Sequence, residues 1–88
     1  MISVILYSAK WCAPCQEFKK QYWNSLQKEF QNVEFRIVDI DKEKVKIASI
    51  PRIAIEDEGQ VVKVFKKVFS EIDSIISLLE DICYEDSQ

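Results

Sequence analysis

Apolar residues along this 88-residue chain follow two rhythms, near-continuous runs and spacings of three or four. Ile2-Ser3-Val4-Ile5-Leu6-Tyr7 is almost uninterrupted and rich in branched side chains, which suits a central strand of a parallel sheet. From Gln16 to Gln31 the rhythm becomes helical. Phe18, Tyr22, Leu26 and Phe30 recur every four residues, with Cys15 and Trp23 near the same stripe, and Glu17, Lys19, Lys20, Gln27 and Lys28 take the wet side. Asn32 is the expected stop. Val33 to Ile40 alternates as a half-buried strand does. Between Asp41 and Ser49 charges dominate around Val45, Ile47 and Ala48. A short helix is expected there, ended at Ile50-Pro51 because the residue before a proline is pushed out of the helical region. Arg52–Glu56 and Val61–Val68 read as strands joined by the turn Asp57–Gln60, where Gly59, the only glycine, supplies a positive φ. Ser70 is the expected N-cap of a last helix whose apolar face is Ile72, Ile75, Ile76, Leu79, Ile82 and Cys83. The polar tail from Glu85 to Gln88 is expected to fray.

The resulting order, β-α-β-α-β-β-α, belongs to the α/β class. A strand-helix-strand unit demands a right-handed parallel crossover and the Gly59 hairpin adds an antiparallel pair, so a four-stranded mixed sheet with helices on both faces is expected. Eighty-eight residues make a single domain, 1–88. A chain this short buries only about 60% of its unfolded surface, so it needs a dense core. The 48% hydrophobic content supplies one and excludes disorder.

Charge and length exclude other classes. Twelve basic and 15 acidic residues give a net charge of −3, and no aromatics interleave with a basic stripe, so nucleic acid is not an expected partner. No run approaches the ~20 apolar residues of a membrane span, and no basic segment precedes a signal-type apolar stretch. The three cysteines, Cys12, Cys15 and Cys83, do not form a secreted disulfide framework. A cytoplasmic monomer without a cofactor is expected.

The chemistry concentrates in Trp11-Cys12-Ala13-Pro14-Cys15, between the first strand and the first helix. Two cysteines two residues apart can close a small disulfide ring, and at the first turn of a helix unpaired N–H groups and the helix dipole favour a thiolate. Pro14 suits that turn because its missing N–H has no partner to lose. A redox-active dithiol is the leading reading. A zinc site is the rival, but it needs four ligands, the chain has no His, and Cys83 is the only other thiol. A purely structural disulfide is a second rival, and Cys83 itself reads as a core residue.

Trp-Cys-x-Pro-Cys after a buried strand, with Ile50-Pro51 before the hairpin, resembles the thioredoxin/glutaredoxin superfamily over nearly the whole chain. The first strand and helix of full-length thioredoxins have no counterpart. The resemblance implies that Cys12 is the nucleophile that forms a mixed disulfide with a substrate, and that Cys15 resolves it. It implies a cis-proline at Pro51 beside the pair, and a peptide-binding surface that includes Trp11, Ala13, Pro14, Ile50 and Arg52. Implied partners are protein disulfides, with ribonucleotide reductase or a metabolic reductase as clients, and an upstream reductase or other thiol donor.

Several positions depart from the family pattern. Leu6 stands where thioredoxins carry a buried Asp, Ser8 where a second Trp is usual, Ala13 for Gly and Gln16 for Lys. Arg52 replaces a Thr, and Lys66-Lys67 falls where a Gly is expected, so these cations border the binding surface. Neither the C-P-Y-C motif nor the Gly-Asp motif of glutathione-dependent glutaredoxins is present, which makes glutathione the weaker reductant. Two functions remain open: an oxidoreductase that reduces protein disulfides, and a binding module of the same fold without turnover.

Overall fold

Strand β1, Ile2–Ser8, runs through the interior of the sheet in the computed structural model, which describes residues 1–86, with side chains as far as Cys83. Val4, Ile5 and Leu6 are all buried, as its unbroken apolar run requires. Strand β2, Glu34–Asp39, pairs with it in parallel, Leu6 opposite Ile37. Strand β3, Arg52–Asp57, lies antiparallel on the other side, Leu6 opposite Ile53, and β4, Gln60–Phe65, completes the order β2-β1-β3-β4. The mixed four-stranded sheet is as expected. A bulge between Ile55 and Glu56 interrupts the β3–β4 register. At the hairpin tip Glu58 and Gly59 take φ values of 54° and 81°, the paired positive angles that a two-residue turn between twisted strands requires. The N-terminal ammonium bonds to the Glu58 carboxylate at 2.6 Å and thereby holds its pKa below the usual value.

The first helical segment starts at Ala13 and ends at Glu29, earlier at both ends than the pattern predicts. It comprises α1 (Ala13–Phe18), a π-turn (Lys19–Trp23) and α2 (Asn24–Glu29), with Phe30 as C-cap. The π-turn follows from the spacing of the aromatics. Each four-residue step overshoots the ~3.6-residue turn by about 40°, so about 120° would accumulate from Phe18 to Phe30 in a regular α-helix. The wider turn takes back part of that drift. Phe18, Trp23, Leu26 and Phe30 all remain buried in one cluster, and Tyr22 packs against it.

That cluster also takes Ile2, Val4 and Leu6 of β1, Ile53 and Ile55 of β3, and Ile75 and Leu79 of α3 (Ile72–Asp86). The strand residues alternate, so they come from one face of the sheet. Among the described residues, both helical segments therefore pack on that single face, a departure from the expectation of helices on both. The helix expected over Asp41–Ser49 does not form. Asp39 Oδ1 accepts the amides of Asp41 (3.0 Å) and Lys42 (3.2 Å), but after one turn Lys44 adopts φ 54° and the Val45 amide closes back on the Ile40 carbonyl. This is a left-handed cap, and it stops the helix where it starts. β4 ends at Phe65 rather than Val68. Glu71, not Ser70, precedes α3 and accepts the Ile75 amide, while the Ser70 hydroxyl donates to the Lys67 carbonyl. Of the expected frayed tail, Glu85 and Asp86 belong to α3, and Ser87 and Gln88 lie outside the described residues.

Candidate active site

β1 ends at Ser8, and a tight turn leads into α1, with the Cys12 amide donating to the Ala9 carbonyl at 3.2 Å. Cys12 is the N-cap of α1 and Pro14 sits in its first turn, a place where no backbone donor is lost. Cys12 and Cys15 are joined as a disulfide, their Cα atoms 5.3 Å apart. The Cys15 amide donates to Cys12 Sγ at 3.2 Å, one of the unpaired donors of the helix start turned onto sulfur. Gln16 ties the helix back, its side-chain amide donating to the Ala9 carbonyl at 3.1 Å.

A small second cluster encloses the pair: Ala9, Cys12 and Cys15 are buried, with Ile40 and Ile50 packed against them. Cys15 is fully buried and Cys12 is 4% exposed, so Cys12 is the more accessible residue of the pair. The Ile50-Pro51 peptide is cis, and the Ile50 carbonyl oxygen lies 3.9 Å from Cys12 Sγ. Residues thirty-eight positions apart thus meet at one sulfur. Trp11 stands 68% exposed on the rim, its indole N–H donating to Asp41 Oδ2 at 2.7 Å. The capped turn at 40–45 therefore fixes the Trp11 ring.

A cavity of ≈ 290 Å³ opens beside Pro51, lined also by Lys66, Lys67, Val68, Phe69 and Ser70. On the Trp11 side, Lys10, Asp39, Asp41 and Lys42 line a second hollow of mixed charge. Trp11, Cys12, Ala13, Pro14, Cys15, Ile50 and Pro51 lie in one neighbourhood, Ala13 and Pro14 exposed on the first turn. Arg52 does not line either hollow. It pairs with Tyr7 across the sheet, and its guanidinium donates to Ser49 Oγ at 3.4 Å. Ser8 is buried, and its hydroxyl has no partner among the described residues. Sequence reasoning missed Phe69 and Asp41. The signal for Phe69 was an apolar residue just after Lys66-Lys67, between the expected strand Val61–Val68 and the expected N-cap Ser70.

No group of residues suited to a metal ion occurs among the described residues, and no helix there is long and apolar enough to cross a membrane.

A buried Cys-x-x-Cys pair at a helix start, beside a cis-proline at one end of a mixed sheet, defines the thioredoxin-fold class of dithiol–disulfide domains. The thioredoxin family model matches residues 1–81, and the chain belongs to that family. Thioredoxin H-type of Fagopyrum esculentum is 37% identical over 65 residues, which is 68% of this chain but 55% of that protein. The matched part thus spans about half the length of that relative. Among solved structures, Chlamydomonas reinhardtii thioredoxin f2 superposes with TM-score 0.74 at 21% identity, over 91% of this chain and 77% of that one. A chain from the ferredoxin:thioredoxin reductase–thioredoxin f2 complex gives 0.73 at 20% identity, over 88% and 76%. These two likenesses establish the fold.

Proposed function

We propose that this protein is a thiol–disulfide oxidoreductase that reduces protein disulfides. The observation that carries it is the Cys12–Cys15 pair itself, with Cys12 as the N-cap of a helical path and the Cys15 amide donating to its sulfur. That donor and the helix dipole stabilise negative charge on Cys12 Sγ and so raise its thiolate fraction near neutral pH. In the reduced protein the Cys12 thiolate attacks one sulfur of a client disulfide. The other client sulfur leaves as thiolate and takes a proton, and a Cys12–client mixed disulfide remains. Cys15, having given up its proton, then attacks Cys12 Sγ. The second client thiol is released and the Cys12–Cys15 disulfide forms. Two electrons pass to the client, and an upstream thiol donor must return them.

An upstream reductase is the recharging partner in this reading, supported by the structural neighbour that was solved with ferredoxin:thioredoxin reductase. Ribonucleotide reductase or a metabolic reductase is the client class to try first. The compartment is the reducing cytoplasm, a reading supported by an odd cysteine count that suits no disulfide framework. The test is turnover. With dithiothreitol as donor, the protein should accelerate reduction of a disulfide-bearing protein, and Cys15→Ser should accumulate a mixed disulfide on Cys12. Reduction no faster than with dithiothreitol alone would leave a binding module without turnover.

A further inference from the structure

The cavity beside Pro51 joins an apolar floor to a cationic rim. Pro51 and Val68 are buried, while Phe69 is 37% exposed and lines the opening. The Phe69 ring is held from the helix that carries the cysteines. Its centroid lies 5.6 Å from Phe18, edge-on, and 6.2 Å from Tyr22. Phe18 is fully buried, so Phe69 is backed by the core where it lines the cavity.

Lys66 and Lys67 stand exposed on the rim, and neither has an ion-pair partner among the described residues. The nearby acid, Glu71, is committed to the Lys67 amide at 2.9 Å. The rim is therefore net positive in a protein whose overall charge is −3. It lies next to the reacting atoms. Pro51 lines the cavity, and the carbonyl of the preceding residue is 3.9 Å from Cys12 Sγ.

We infer that this cavity selects client segments in which the reacting cysteine is flanked by a large apolar residue and an acidic one. The apolar side chain enters against Phe69, Val68 and Pro51, and the carboxylate meets Lys66 and Lys67. The inference rests on the oxidoreductase reading and assigns the substrate class of the same site. Charge complementarity at exposed lysines contributes little to affinity but biases encounter and orientation, so discrimination should show in kcat/KM.

The test uses disulfide-linked peptides that differ only beside the cysteine: Phe with Glu, Phe with Lys, and Ala with Glu. At pH 7 and low ionic strength the Phe/Glu peptide should be reduced about five-fold faster in kcat/KM than Phe/Lys, the scale of one or two exposed charge pairs. High salt should bring that ratio toward one. The Ala/Glu peptide should be slower by about ten-fold, the scale of losing apolar contact in a pocket. In Lys66→Gln/Lys67→Gln the Phe/Glu to Phe/Lys ratio should collapse to about one. A ratio of one in the parent, or an unchanged ratio in the double variant, would overturn the inference. Bis(2-hydroxyethyl) disulfide, which has no flanking residues, keeps the two readings apart. If the protein reduces neither it nor any peptide, the oxidoreductase reading fails. The inference is then decided by binding of the same peptides with Ser in place of Cys, followed at the amides of residues 66–70. Tighter binding of Phe/Glu supports it and equal binding of Phe/Glu and Phe/Lys overturns it.

Discussion

Replacing Leu6 by Asp would put a carboxyl where most thioredoxins carry one, in a site built for hydrocarbon. Leu6 is fully buried between Ile37 and Ile53 in the middle of the sheet, in the cluster that contains Phe18, Phe65 and Leu79. Removing its side chain forfeits about 1.5–3 kcal/mol of apolar burial. Seating a neutral carboxyl there without a prepared partner costs about another 1–3 kcal/mol. The sum, about 2.5–6 kcal/mol, is a large share of the roughly 4–13 kcal/mol expected for a domain of this size. Charging the group costs more, which fixes the sign of the pH dependence. Burial raises the folded pKa above the unfolded ~3.9, so the folded state holds the proton longer than the unfolded state does. Stability relative to the parent is then least impaired below pH ~3.9. The deficit grows by about 1.4 kcal/mol per pH unit until the folded pKa is reached. Urea unfolding of the oxidised protein, run at several pH values beside Leu6→Asn, measures both parts. The Asp midpoint should fall by about 2 M or more near pH 5 and drop further at pH 7, whereas the Asn deficit should be constant. A Leu6→Asp protein as stable as its parent would refute the enclosure of Leu6 and the β1 register with it. A deficit independent of pH would show that the carboxyl reaches water.

Two further outcomes are expected. Cys12 should alkylate with an apparent pKa below the free value of about 8.5 and toward ~7, and Cys15 should react far more slowly. Iodoacetamide rates against pH, read by mass spectrometry, check both, and a Cys12 midpoint at 8.5 or above counts against the helix-start donor. Gly59→Ala should lower stability by about 1–2 kcal/mol from backbone conformation alone, because φ is +81° and a Cβ would meet nothing within 4 Å. Chemical denaturation checks it, and an unaffected midpoint would mean that the turn relaxes to another type.

The parts legible in the sequence were those where local chemistry and long-range packing ask for the same thing. The unbroken run at Ile2–Tyr7 has to lie inside a sheet, Gly59 has to turn the hairpin, and Cys-x-x-Cys before an amphipathic stretch has to sit at a helix start. The Asp41–Ser49 segment failed because one side chain decided it. Asp39 caps the turn as it would a helix, but the few apolar residues beyond find no face to bury, and Lys44 turns left-handed. The π-turn was hidden for a different reason. A period of four is close enough to 3.6 to read as regular helix, and only the requirement that Phe18 and Phe30 share one core exposes the mismatch. Phe69 escaped because Val61–Val68 alternates poorly and gives no sign that β4 ends at Phe65. The pairing of Trp11 with Asp41, thirty positions on, depends on where that aborted turn comes to rest, which no local pattern encodes.

The π-turn lets the first helical segment lose one residue but not gain one. One residue more or fewer in an α-helix swings everything beyond it by about 100°, and the wide turn at Lys19–Trp23 already absorbs one such offset. Deleting a single residue there would allow regular helix to form and, because seven regular residues turn about as far as eight that include the wide turn, would leave Leu26 and Phe30 facing the sheet while the cysteines stayed in place. Inserting one would add a second offset of about 100° with no wide turn to absorb it, and would carry Leu26 and Phe30 off the sheet. Sequences related to this one by descent are therefore free to exchange residues between Lys19 and Trp23, or to lose one of them, but a gain has to be matched by a shift in the apolar positions downstream.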